Sequence, residues 1–229
     1  MRRILFIIPV LCLLVSCKSK EDRALELIDK RMYNTLYDYD SYQPIETRVS
    51  EAYSTLYNTD SIRAMAILLK RYLDEANDYK SKADDAKSTM DIWSDSYTSY
   101  GRSKYRDARK EWIDNSILYF SETKLAFTLT MLAYESIKDF HGEPLDGWEV
   151  YHRYRCKSKG GSALLCEEYF YVDKDIKTIT KVIDLDDEEY KTSKSLINEI
   201  RLMDDEKIKE YQDMIEGFSE TIESFEKLK

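Results

Sequence analysis

Two histidines, four cysteines and one short basic stretch are the residues of this chain whose types could do chemistry. Cys156 and Cys166 flank Gly160-Gly161, and pairing the two segments about Gly161 sets them directly opposite one another. Opposed cysteines with α-carbons about 5.5 Å apart can be bridged, so the pair is a candidate disulfide; the alternative is two buried free thiols. The same register sets His152 against Phe170 and Val150 against Val172, which makes the cysteine-bearing face apolar. His141 falls in a loop and His152 on that apolar face, where a packed imidazole is commoner than a ligand. A zinc site needs three or four convergent ligands, and neither HExxH, CxxC nor a His-rich cluster occurs. No GxSxG elbow occurs either, since Gly160-Gly161-Ser162 reads as a hairpin tip, and no glycine loop is laid out to cradle phosphate. Carboxylates are plentiful but scattered over helix faces, so no acid pair stands out. No catalytic residue, metal or cofactor is expected, and the chain reads as non-enzymatic.

One stretch is anomalous in its charge. Tyr151, Arg153, Arg155, Lys157 and Lys159 make one edge of the predicted hairpin basic and aromatic. Such a patch suits a sulfated or uronate glycan, a phosphate or an acidic protein. The plainer reading is a solvated strand face whose lysines and arginines deter edge-to-edge pairing.

The remaining chemistry is covalent and lies at the start. Arg2 and Arg3 precede an apolar run, Ile4 to Val15, broken only by Pro9. That layout is a secretory signal, and the run is shorter than the roughly 20 residues a span requires. Leu14-Val15-Ser16-Cys17 resembles the lipobox of bacterial lipoproteins, which implies cleavage before Cys17 and acylation there. Anchoring through several acyl chains, at about 0.8 kcal/mol per buried methylene, would be stable. An ordinary cleaved signal with an incidental cysteine is the alternative. Lys18 stands where inner-membrane retention would require Asp, so outer-membrane placement is expected, on the periplasmic face or the cell surface. Lys20-Glu21-Asp22 is similar to the export tag of surface lipoproteins from the Bacteroidetes.

The elements that must position these residues follow from periodicity. Residues 1–17 are the signal, and 18–60 read as a tether with short helices, one through Arg23–Tyr37 and one with Ile45, Val49, Ala52, Tyr53 and Leu56 on a face. From Ile62 to Trp93 apolar residues recur every three or four positions, a heptad seam with alanines at 76, 83 and 86. Ser103 to Lys138 carries two apolar stripes, which calls for two packing neighbours. Residues 61–140 therefore read as a long antiparallel helical hairpin, coiled-coil-like, with an intermolecular zipper as the alternative. Over 146–184 the period drops to two, predicting a three-stranded antiparallel meander. Residues 185–229 return to helix, with Asp186 and Glu189 fitting a capping box. The fold class is α+β, predominantly α.

Around Gly147-Trp148, His152-Arg153, Arg155-Cys156-Lys157 and Gly160-Gly161 the chain resembles a group of uncharacterised Bacteroidetes lipoproteins. The resemblance implies an export signal, a long helical middle and a short strand segment near the C-terminus, and it implies no activity. Cys166 departs from that group's pattern.

Composition bounds the partners. Net charge is −9, and −11 once Arg2 and Arg3 leave with the signal. That balance argues against nucleic acid. A membrane reached through the Cys17 anchor, an envelope protein or acidic glycan, and a second copy of the chain remain. The expected role is a binding or assembly module displayed on a helical rod. An oligomerising spacer or accessory subunit is the alternative, with an envelope hydrolase a distant third.

Overall fold

The computed structural model describes residues 18–229, so the signal and Cys17 lie outside the described residues. Ser19 opens the first helix, α1 (Lys20–Thr35), by accepting from the Asp22 backbone N–H while the Asp22 carboxylate accepts from Ser19 N–H. This reciprocal cap satisfies two of the orphaned donors at the helix start. Glu21 and Asp22 therefore have a structural use as first-turn acids. The buried face of α1 is Ala24, Ile28 and Met32, at a four-residue spacing that keeps them on one stripe. The predicted helix through Arg23–Tyr37 thus starts earlier, at Lys20, and its buried face belongs to the core.

A 3₁₀ turn (Tyr39–Ser41) leads into β1 (Gln43–Tyr53). Sequence spacing predicted a helix here, and the structure makes a strand. β2 (Pro144–Lys157), β3 (Ala163–Val172) and β4 (Ile179–Asp184) complete an antiparallel sheet in the order β1-β2-β3-β4, four strands in place of the predicted three. Two compact units result. The first joins residues 18–51 to 146–182. Its core places Ala24, Ile28 and Met32 of α1 against Val150, Tyr154, Phe170 and Val172 of the sheet.

The second unit comprises residues 52–145 and 183–229. Its frame is the predicted hairpin: α2 (Asp60–Trp93) and α3 (Ser99–Lys138), of 34 and 40 residues, or about 50 and 60 Å at 1.5 Å per residue. Ile62, Leu69, Ala76 and Ala83 repeat every seven residues and are all buried. Opposite them α3 buries Ala108, Ser116, Thr123, Ala126, Thr130 and Ala133, so small residues meet across the seam. An aromatic face of α3, drawn from both predicted stripes, packs on α5 (Asp205–Glu226): Phe127 stacks on Tyr211 with centroids 4.4 Å apart, and Trp112 meets Phe225 edge-on at 5.2 Å. Against α2 and α3, α4 (Glu188–Arg201) contributes Ile197 and Ile200. Its cap is Asp187, one residue later than predicted.

Candidate functional site

β2 is the central element of the first unit's chemistry, because alternation sends its residues to two different faces. Even positions face α1. His152 sits there with no exposed surface. Its Nε2 lies 2.8 Å from the Tyr42 hydroxyl and its Nδ1 3.0 Å from the Thr47 hydroxyl. Tyr154 stacks beside the imidazole at 5.3 Å. Burial holds the His152 pKa down at about 4, only partly offset by the Glu46 backbone. The ring is therefore neutral at pH 7, carrying one proton, so one hydroxyl donates to its bare nitrogen and the other accepts. Both nitrogens are committed.

The cysteines share this face but are not opposed. The observed register pairs Cys156 with Leu164 and Tyr154 with Cys166, while His152 faces Glu168 and Val150 faces Phe170. Sequence pairing about Gly161 was displaced by two residues: the hairpin closes on a five-residue turn, Ser158–Ser162, in which Ser158 and Ser162 share a backbone bond of 2.9 Å. The thiols are diagonal neighbours, both free, with sulfurs 3.9 Å apart. Diagonal α-carbons in a sheet are about 7–8 Å apart, and beyond about 7 Å bridging requires backbone movement. The expected disulfide is thus two free thiols in this structure. Burial, and then the neighbouring Cys156, push the Cys166 pKa up to about 12, so it is a poor nucleophile at neutral pH.

Odd positions of β2 form the opposite face, and the predicted basic patch divides on it. Arg153 lies directly across from Glu167 and pairs with it at 3.2 Å. Tyr151 lies across from Tyr169, with rings 5.6 Å apart, and carries the Arg48 guanidinium at 4.5 Å from its centroid. Arg155 and Lys157 face Leu165 and Ala163 and stay exposed, as does Lys159 in the turn. Two of the five residues are therefore engaged within the sheet.

Compared with families of known proteins, with curated proteins and with solved structures, the chain matches none.

A concavity that the sequence did not reveal lies beside α1. It measures about 730 Å³ and is lined by Asp22, Glu26, Asp29, Tyr39, Asp40 and Tyr42, with Lys18 at its rim paired to Glu26. The Tyr39 hydroxyl donates to Asp29 at 2.7 Å, and its ring stacks on Tyr42, which in turn holds His152. Burial and the Asp29 charge raise the Tyr42 pKa, keeping that hydroxyl protonated. The groove thus has an acidic, tyrosine-rich wall braced from below by a neutral histidine. These residues come from α1, the 3₁₀ turn and β1, and no local spacing links them. Among the described residues no group of histidines, cysteines and acids is arranged to hold a metal ion, and no helix is long and apolar enough to cross a membrane.

Proposed function

We propose that the chain is a membrane-anchored bacterial lipoprotein of non-enzymatic type, in which the sheet unit is a binding module held directly at the anchor. The observation that carries the reading is the position of Ser19. The helix cap stands two residues after Cys17, and the helix it opens is part of the sheet's core. An acylated Cys17 would leave only Lys18 as linker, so the sheet unit itself would adjoin the lipid. Outer-membrane placement, on either face, follows from Lys18 as the residue after the anchor. The groove along α1 suits a cationic segment of an envelope partner, since Asp22, Asp29 and Asp40 line it with two tyrosines, while Glu26 is already paired with Lys18. The committed state of His152 supports a structural role for the residue that an enzymatic reading would have relied on.

A photo-crosslinking residue at the exposed Asp40 position, in cells, tests the reading. Adducts with an envelope protein that vanish in Cys17→Ser support it; the same adducts in a chain released from membranes, or none at all, contradict it.

The second reading, an oligomerising spacer or accessory subunit, is favoured by one feature. Leu118, Leu125 and Leu132 recur every seven residues along α3, and all three are exposed. A repeat of that period on an uncovered face is the pattern of a helix seam.

A further inference from the structure

The closed end of the α2–α3 hairpin concentrates positive charge in an otherwise acidic chain. Residues 102–110 hold Arg102, Lys104, Arg106, Arg109 and Lys110 against a single acid, Asp107. Among the described residues none of these five forms an ion pair with a carboxylate; Arg109 is held instead by the Leu228 carbonyl at 3.1 Å. Elsewhere on the same hairpin Lys70, Lys80 and Lys82 are each paired with an aspartate four residues away. The tip cations are thus not neutralised by carboxylates among the described residues, although Arg109 is held by a carbonyl.

Their surroundings are aromatic and hydroxylated. Trp93 meets Tyr100 edge-on at 5.6 Å, Lys104 lies 5.6 Å from the Tyr100 ring, and Tyr97 is 92% exposed. Trp93, Tyr105, Arg102 and Arg106 line a cavity of about 320 Å³ together with the hydroxyls of Ser96 and Ser99. A second cavity of about 230 Å³ lies along α3, bounded by Arg109, Lys110 and, shared with the first, Arg106, with Ile113 and the Asp114–Lys229 ion pair completing its wall. The turn that shapes the first is fixed. Thr98 caps α3 by accepting from Gly101 N–H at 3.0 Å, and a β-carbon on Gly101 would stand 1.8 Å from the Ser96 hydroxyl oxygen. The close approach requires glycine.

We propose that this hairpin tip binds an acidic polysaccharide, a chain of sugar rings bearing carboxylate or sulfate groups. Aromatic faces take the C–H face of a sugar ring and leave its hydroxyls to polar neighbours. Guanidinium forks take planar or tetrahedral oxyanions with geometric specificity. Serine hydroxyls serve the remaining ring hydroxyls as donor or acceptor. Two adjoining concavities joined at Arg106 suit successive rings of one chain. A flat lipid surface would meet the protruding tyrosines but not these recesses, and an acidic peptide would use the cations without the aromatic wall. The proposal stands on the tip residues alone and does not depend on acylation of Cys17.

The test uses the full chain in detergent, with dextran sulfate and polygalacturonate as probes and neutral dextran as control. Both acidic polymers should bind, the neutral one should not, and affinity should fall as salt screens the charges. Arg102→Ser/Arg106→Ser, at two exposed positions, should weaken binding by about tenfold or more, the loss expected for removing charged hydrogen bonds. Trp93→Ala should do the same for ring stacking, with circular dichroism confirming its fold. Cys17→Ser should bind as the parent does, which keeps this outcome separate from the anchoring question. Failure to bind either polymer would overturn the proposal. So would equal binding of polyglutamate or of phosphatidylglycerol vesicles, unchanged binding by Arg102→Ser/Arg106→Ser, or a loss seen only in Arg155→Ser/Lys157→Ser.

Discussion

The Tyr42 hydroxyl and Nε2 of His152 meet at 2.8 Å across 110 residues of chain. That contact ties the segment after α1 to the central strand, and with Thr47 on the other nitrogen it leaves the imidazole no free edge. A buried, doubly satisfied and neutral histidine fixes the pairing of these segments.

Its cost appears on acidification. The His152 pKa is about 4 when folded, against 6.5 for the unburied side chain, so between those values the unfolded chain binds more protons. The histidine's contribution is complete above about pH 6.5 and is lost as pH falls towards 4. Urea unfolding should show about 3 kcal/mol of lost stability from this group over that window. His152→Gln, which removes the titration, should show a correspondingly flatter profile; an identical slope in parent and variant would contradict this account of the site.

The thiols make a second prediction. Cys166, with its pKa pushed up to about 12, and the buried Cys156 should react slowly with Ellman's reagent at pH 8 in the native protein. Guanidinium should make both react promptly. Rapid native reaction, or absence of two titratable thiols after unfolding, would point to a different register or an oxidised pair.

Two glycines separate sterics from backbone conformation. Gly147 has φ of +153°, and a β-carbon there would lie 2.0 Å from the Val172 carbonyl oxygen. Gly161 has φ of +80° with open space around it. Gly161→Ala should cost about 1 kcal/mol, the left-handed penalty alone. Gly147→Ala adds a clash at the β2–β3 pairing and should cost more, about 2–3 kcal/mol, measured by denaturant unfolding.

The small-residue seam of α2 and α3 should resist enlargement. Ala83 is buried where two helices approach, and Ala83→Leu should destabilise by about 1–3 kcal/mol through overpacking. Leu125, on the exposed stripe, should tolerate Glu with little change in stability. Light scattering then separates the two functional readings: a parent oligomer dissolved by Leu125→Glu favours the spacer, and a monomeric parent favours the binding module.

What was legible in the sequence was what repeats. The α2 seam keeps one period for about 30 residues, and the two stripes of α3 announced two partners, which α2 and α5 supply. β1 was misread because Ile45 and Val49 are four apart, a spacing that shares a face at both the helical and the strand period. The β-branched Thr47 between them, which reaches His152, is the signal that would have decided it. The hairpin register moved by two residues, and an even shift keeps every side chain on its face. The cysteines and His152 therefore do share a face, while their cross-strand partners differ. Neutralisation of Arg153 by Glu167, and the groove built by Asp29, Tyr39 and Tyr42, depend on pairings between distant segments. No local pattern encodes them.

The central claim is that the body beginning at Ser19 is held to a membrane by a lipid on Cys17. Mass spectrometry of the N-terminal peptide, from cells fed labelled palmitate, tests it most directly. The account predicts a peptide that starts at Cys17 and carries label, and a Cys17→Ser chain that carries none and leaves the membrane fraction. An unlabelled peptide, or a Cys17→Ser product still bound to envelopes, would contradict it.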